Sequence, residues 1–242
     1  MPISVDQVDI DTSNTNQAGI ANIVFSTDVV AGDLLVFACG GFALGGDWDI
    51  SQVSDDVNGN WTQAIERDSG AESQVEIWYY QNAGAGTTTV SVTEDGSGIY
   101  YAAGIMRVSG MATASALDTT GSASAGSGAP TVTADATSSQ ADTLLVAMAN
   151  VPASGTGAWT DPSDTDGYTL WFEDSDGSQF NLNNACYKVE SAAAQETAPW
   201  SKDSDATSYY TVIAVFKGAA AGTRPQGPLG HPFRGPFAGP IS

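Results

Sequence analysis

Histidine is nearly missing from this chain: the single one, His231, lies between Gly230 and Pro232 close to the C-terminal end. Nucleophilic catalysis that relays its proton through imidazole, in the Ser-His-Asp or Cys-His form, therefore has no base in the rest of the sequence. Cysteine is almost as scarce. Cys39 and Cys186 are the two present, and with one histidine they cannot close a tetrahedral zinc site. They lie far apart within apolar runs, so they either pair across the fold or fill core space as small side chains. Positive charge is depleted too, with 7 Lys and Arg against 28 Asp and Glu and a formal charge of −21. Such a surface repels the phosphates of nucleic acid and of anionic bilayers. No stretch reaches the roughly 18 to 20 apolar residues of a membrane-spanning helix. The opening Met1-Pro2-Ile3-Ser4-Val5-Asp6 has neither the basic nor the apolar region of an export signal. No Gly-x-x-x-x-Gly-Lys occurs, so a phosphate-cradling loop is not expected.

What the chain does have is short hydrophobic runs, 42% of residues in all, set between clusters of Gly, Ser, Thr, Asp and Asn. That texture predicts many short strands joined by turns, an all-β protein. The runs also recur. Gly32-Asp33-Leu34-Leu35-Val36-Phe37-Ala38 returns as Ala141-Asp142-Thr143-Leu144-Leu145-Val146-Ala147, and the segment from Trp61 to Gly70 returns from Tyr168 to Gly177. Tyr101 to Gly110 returns once more from Tyr209 to Gly218. Three matches in order, nearly in register, predict an internal repeat with halves 1–112 and 113–218. Strands are expected at 20–27, 33–39, 60–66, 74–80, 87–93 and 99–108, and again at 130–136, 142–150, 167–173, 180–189 and 208–216. Two packings satisfy this: one large sandwich over 1–218 whose halves interleave about a pseudo-twofold axis, which is the expectation here, or two small tandem sandwiches.

Several of these segments together resemble a known family. They are Gly32-Asp33-Leu34-Leu35-Val36, the hairpin from Val53-Ser54-Asp55 to Gly59-Asn60-Trp61-Thr62, the strand Val75-Glu76-Ile77-Trp78-Tyr79-Tyr80, then Thr87-Thr88-Thr89-Val90-Ser91-Val92, the end Val108-Ser109-Gly110, and Ala116-Leu117-Asp118. The chain resembles, over about residues 5–218, the jelly-roll, concanavalin-like β-sandwiches of tailed-phage structural proteins and bacterial surface proteins. The resemblance implies a jelly-roll β-sandwich with a pseudo-twofold repeat and a non-enzymatic virion component, either a capsid decoration or an accessory part of the tail. Its partners would be other virion proteins and copies of itself. It carries strand and turn signatures and no catalytic motif.

After Gly218 the text changes. Residues 219–242 hold five prolines, Arg224, Arg234 and no acid. Proline and glycine at this density forbid a strand ladder or a helix. Leu229, Phe233, Phe237 and Ile241 recur every four residues, as apolar anchors of an extended peptide laid into a neighbour's groove. Arg224, Leu229, Phe233, Arg234, Phe237 and Ile241 are accordingly the expected partner-binding residues of an anchoring tail.

Three further chemistries have candidate residues. In a Gly-containing loop, Asp164, Asp166 and Glu173 fall at the ligand positions of a calcium loop when Gly167 takes its glycine position, although Pro162 then stands where the first Asp belongs. A structural calcium is the one cofactor these residues suggest, and solvated turn acids are the competing account. Trp48, Trp159 and Trp200 lie in turn-rich segments, where indoles either stack on a host-surface glycan or pack an edge; a carbohydrate-binding module of a surface protein is the alternative function. Glu76, Glu173 and Glu190 sit beside Trp78, Trp171 and Tyr187. Glycan cleavage there would require two carboxylates on one groove, one of them held protonated near neutral pH.

Overall fold

A computed structural model describes residues 2–17, 19–43, 46, 48–69, 73–96, 98–126, 128–152, 159–160, 166–174, 181–202 and 208–220. Among these residues there is no helix. The strands of the first half are β1 (Ser4–Gln17), β2 (Ile23–Val24), β3 (Leu34–Ala43), β4 (Asp49–Asp55), β5 (Gly59–Asn60), β6 (Thr62–Asp68), β7 (Ser73–Tyr80), β8 (Thr89–Asp95) and β9 (Ile99–Ser109). Those of the second are β10 (Leu117–Ala125), β11 (Thr131–Thr133), β12 (Thr143–Pro152), β13 (Trp159–Thr160), β14 (Thr169–Asp174), β15 (Asn181–Glu190), β16 (Thr197–Pro199), β17 (Ser201–Lys202) and β18 (Tyr209–Lys217).

The strands form antiparallel sheets stacked as β-sandwich layers. One five-stranded sheet runs β1-β9-β3-β7-β6 and carries on its outer side a smaller sheet, β2-β8-β4-β5. The other five-stranded sheet runs β10-β18-β12-β15-β14, with the pairs β11-β16 and β13-β17 beside it. Each five-stranded sheet draws all its strands from one half of the chain, so the halves meet face to face and do not interleave within a sheet. β6 packs across β10 and β18, β3 across β12 and β15, and β9 across β14 and β15.

Three apolar layers result, and the sequence of β3 shows why. Leu34, Val36 and Ala38 point into the central layer between the large sheets, while Leu35, Phe37 and Cys39 point into the first half's outer layer. A strand covered on both faces needs an apolar side chain at every position, which is why this segment reads as a continuous run and not as an alternation. β12 does the same, with Leu144, Val146 and Met148 inward and Leu145, Ala147 and Ala149 outward. The central layer is closed by a near approach at Gly104 of β9: a Cβ there would stand 2.8 Å from a Phe172 ring carbon and 3.1 Å from Trp171. The expected strands differ in extent: that placed at 20–27 is reduced to Ile23–Val24 and that at 130–136 to Thr131–Thr133. β1, β10 and most of β4, whose Asp, Ser and Gln disguise its alternation, lie outside the expected ranges, while the end of β4 pairs with β5 in the expected hairpin.

Candidate functional site

Two places on this framework bear polar or apolar groups that the packing does not fully account for. The first is a carboxyl enclosed by the outer layer of the first half. Antiparallel register sets Glu76 of β7 directly between Glu66 of β6 and Cys39 of β3. Glu76 is completely buried. Its Oε2 accepts hydrogen bonds from the indole Nε1 of Trp78 and, at 3.2 Å, from Nε2 of Gln63, whose amide also donates to Glu66 at 3.0 Å. Gln74, two residues along the same face, donates to Asp49 at 3.1 Å. Glu76 Oε1 and Gln74 Oε1 are enclosed without a hydrogen-bond partner.

Burial is the main cause that pushes the Glu76 carboxyl up to about 8; the indole and amide donors pull the other way, and the charges of Glu66 and Asp49 add to the rise. Burial likewise raises Glu66, helped by Asp49 and Asp68. The Cys39 thiol is pushed well up by burial and then by Glu76. A neutral acid beside a second carboxyl has the charge state that acid catalysis of glycoside cleavage needs. It lacks the access, because no surface of Glu76 reaches solvent. The other two acids do not converge on it: Glu173 is registered opposite Asn184, and Glu190 pairs with Lys188 at 2.5 Å, both on the second large sheet and across the central layer.

The second place is the seam along β1. This strand is the edge of its sheet, held by β9 alone within it. A bulge between Val5 and Gln7 resets its register against β9, opposing Val8 to Met106 and Ile10 to Gly104, both on the central-layer side of β9. At the opposite end of the stack β6 and β10 pack closely, whereas β1 only brushes β14. Val8 and Ile10 consequently remain 41% and 55% exposed, and Val189, on the Tyr187 face of β15, 46%. Val5, Asp6, Gln7, Val8 and Tyr187 line a groove of about 310 Å³ here.

The described body ends beside this groove. Gly218 N donates to Asp142 O at 2.8 Å, Ala219 N donates to Gly110 O at 2.8 Å, and Met111 bridges to Gly218. Gly218 sits against Ile3, a Cβ on it falling 3.1 Å from Ile3 Cδ1, and Gly110 lies under the Pro2 carbonyl. The last described residues thus lie at the start of the same strand that forms the groove.

The expected site residues fare unevenly. Trp48 and Trp200 are not sugar platforms: both are buried. Trp48 covers Gly41, where a Cβ would come within 2.4 Å of its ring, and its Nε1 donates to Glu94 at 2.9 Å. The Trp200 Nε1 donates to Asn184 at 2.7 Å. An indole whose N–H has a partner contributes most when its whole ring is covered, and that preference placed both in the core. The side chain of Trp159 lies outside the described residues, as do Asp164 and all of Arg224, Leu229, Phe233, Arg234, Phe237 and Ile241. Asp166 is exposed and Glu173 half-buried; no group of three metal-ligating side chains able to hold an ion occurs among the described residues. Cys39 and Cys186 form no disulfide and are buried in the outer layers of opposite halves. Val8 and Ile10 of the seam escaped the reading of the sequence, and Tyr187 entered it only as the neighbour of Glu190, although Val8-Asp9-Ile10-Asp11 alternates as a strand with one apolar face does. No family model, no curated protein and no solved structure matches the chain.

Proposed function

We propose that the protein is a non-enzymatic assembly component, of the kind that decorates a capsid or forms an accessory part of the tail in a tailed-phage virion, and that it docks to neighbouring subunits through residues 219–242. The observation that carries this reading is the apolar seam of β1, Val8 and Ile10 above all, left open on the strand whose start meets the last described residues. Soluble proteins keep such patches for partners. Among the described residues the one strongly perturbed carboxyl, Glu76, is by contrast sealed from any substrate.

The fold supports the resemblance to jelly-roll proteins. In the first half β1-β9-β3-β7 faces β2-β8-β4-β5, and a jelly roll's eight strands pair in this order. The second half repeats it as β10-β18-β12-β15 beside β11-β16 and β13-β17. We read the body as a duplicated jelly roll whose two copies share the central layer, with the C-terminal segment as an appended anchor. All 28 acids precede that segment, and it contains two arginines and none of the acids, so attraction between tail and body favours docking.

Incorporation into particles tests the reading. Full-length protein is expected at fixed stoichiometry in the assembly, and a chain ending at Gly218 is expected to stay folded and free. Equal incorporation of both would remove the tail from the mechanism.

A further inference from the structure

We propose that in the free protein the chain's own C-terminal segment, residues 221–242, occupies the groove between β1 and β15. The inference rests on the reading that this segment is a docking element, and it adds where the segment goes before any neighbour is met. Position is the first argument. The body ends at Gly218 and Ala219, against Pro2, Ile3 and Gly110, and Val5, two residues beyond Ile3, lines the groove.

Reach is the second. Residues 220–228 separate Ala219 from the first apolar anchor, Leu229. In a polyproline II conformation they span up to about 28 Å at ~3.1 Å per residue. The groove, with the exposed seam that continues it along β1 from Val5 to Ile10, is about 17 Å long at ~3.3 Å per residue. Anchors four residues apart are then about 12 Å apart, so two successive anchors, such as Phe233 and Phe237, fit over it at once. Tethered this closely, the segment meets the groove at an effective concentration on the order of millimolar, which a second copy's segment does not match in dilute solution.

Chemistry is the third. Val8, Ile10 and Val189 offer exposed apolar surface beside Asp6, and the segment offers Leu229, Phe233, Phe237 and Ile241 with Arg224 and Arg234. Pro225, Pro228, Pro232, Pro236 and Pro240 fix φ near about −65° and favour a polyproline II path over a regular β ladder. Side chains lowered into the groove then carry the contact.

A nitroxide on Ala238→Cys in the otherwise intact chain tests this, because the native thiols of Cys39 and Cys186 are buried and take no label. Paramagnetic broadening read by NMR in dilute protein is expected to fall on Val5, Val8, Ile10 and Tyr187, with several-fold loss of signal that dilution does not change. Broadening spread evenly over the body overturns the proposal. So does broadening at the groove that fades on dilution, which assigns the occupant to a second copy. Val8→Asp with Ile10→Asp is expected to abolish the effect; Phe233→Ser with Phe237→Ser does the same without altering the body. A protein that shows the broadening yet never enters particles leaves this inference standing and removes the assembly reading.

Discussion

At Glu76 the fold encloses a carboxyl whose donors among the described residues are one indole and one amide that it shares with Glu66. Its acidity sets the sign of a pH effect. The unfolded carboxyl titrates near its ordinary value of 4.5, the folded one near 8. Between these two values the folded state holds the extra proton, so stability is fully present below the lower value and declines as pH rises through the upper one. Glu76→Gln keeps the shape and discards the titration. It is expected to be more stable than the parent at pH 8, by on the order of a few kcal/mol, and to lose most of the slope between pH 5 and pH 8 in urea unfolding. An unchanged slope would mean that another group sets it. Trp200 allows a second residue-scale test. Trp200→Phe leaves the buried Asn184 Oδ1 without its 2.7 Å donor, for an expected loss of about 1–3 kcal/mol, measurable as a lower urea midpoint with unchanged slope against denaturant.

Among the elements, β9 and β14 meet where Gly104 admits the rings of Phe172 and Trp171. Gly104→Ala places a methyl group inside that contact. The expected cost is about 1–3 kcal/mol, appearing as a lower melting temperature, whereas Gly46→Ala, which would meet nothing within 4 Å, serves as the neutral comparison. β3 and β12 were legible in the sequence because each is covered on both faces and so spells out its burial residue by residue. The strand at 99–108 was legible for the same reason. The groove was not, because it depends on which edge strand the facing sheet fails to cover, a property of two distant segments and of the bulge at Asp6. Glu76 stood out beside Trp78, but its enclosure follows from register with Glu66 and Cys39, which no local pattern encodes. Trp48 and Trp200 misled for a related reason: turn-rich flanks suggest exposure, while Gly41 under Trp48, visible in Cys39-Gly40-Gly41-Phe42, marks the place where a ring lies down.

For the molecule as a whole, the central layer decides how it unfolds. Leu34, Val36, Val75, Ile77, Met106 and Val108 of one half bury against Leu144, Val146, Met148, Val212 and Phe216 of the other. Neither half can expose that face and remain a soluble monomer. Urea unfolding of the full chain is therefore expected as one cooperative transition seen alike by tryptophan fluorescence and circular dichroism, and residues 1–112 expressed alone are expected to self-associate in sedimentation. Two separated transitions, or a monomeric half, would contradict the shared layer. The contacts that join Ile3 to Gly218 and Gly110 to Ala219 also bring the entry to the body, its exit and the crossing between its halves to a single point. In topological terms the body is a ring of two arcs cut at one of two equivalent gaps. Joining Ile3 to Gly218 through a short linker and opening the chain at Thr113 would exchange the order of the halves and free the new ends at that same point, leaving every sheet intact.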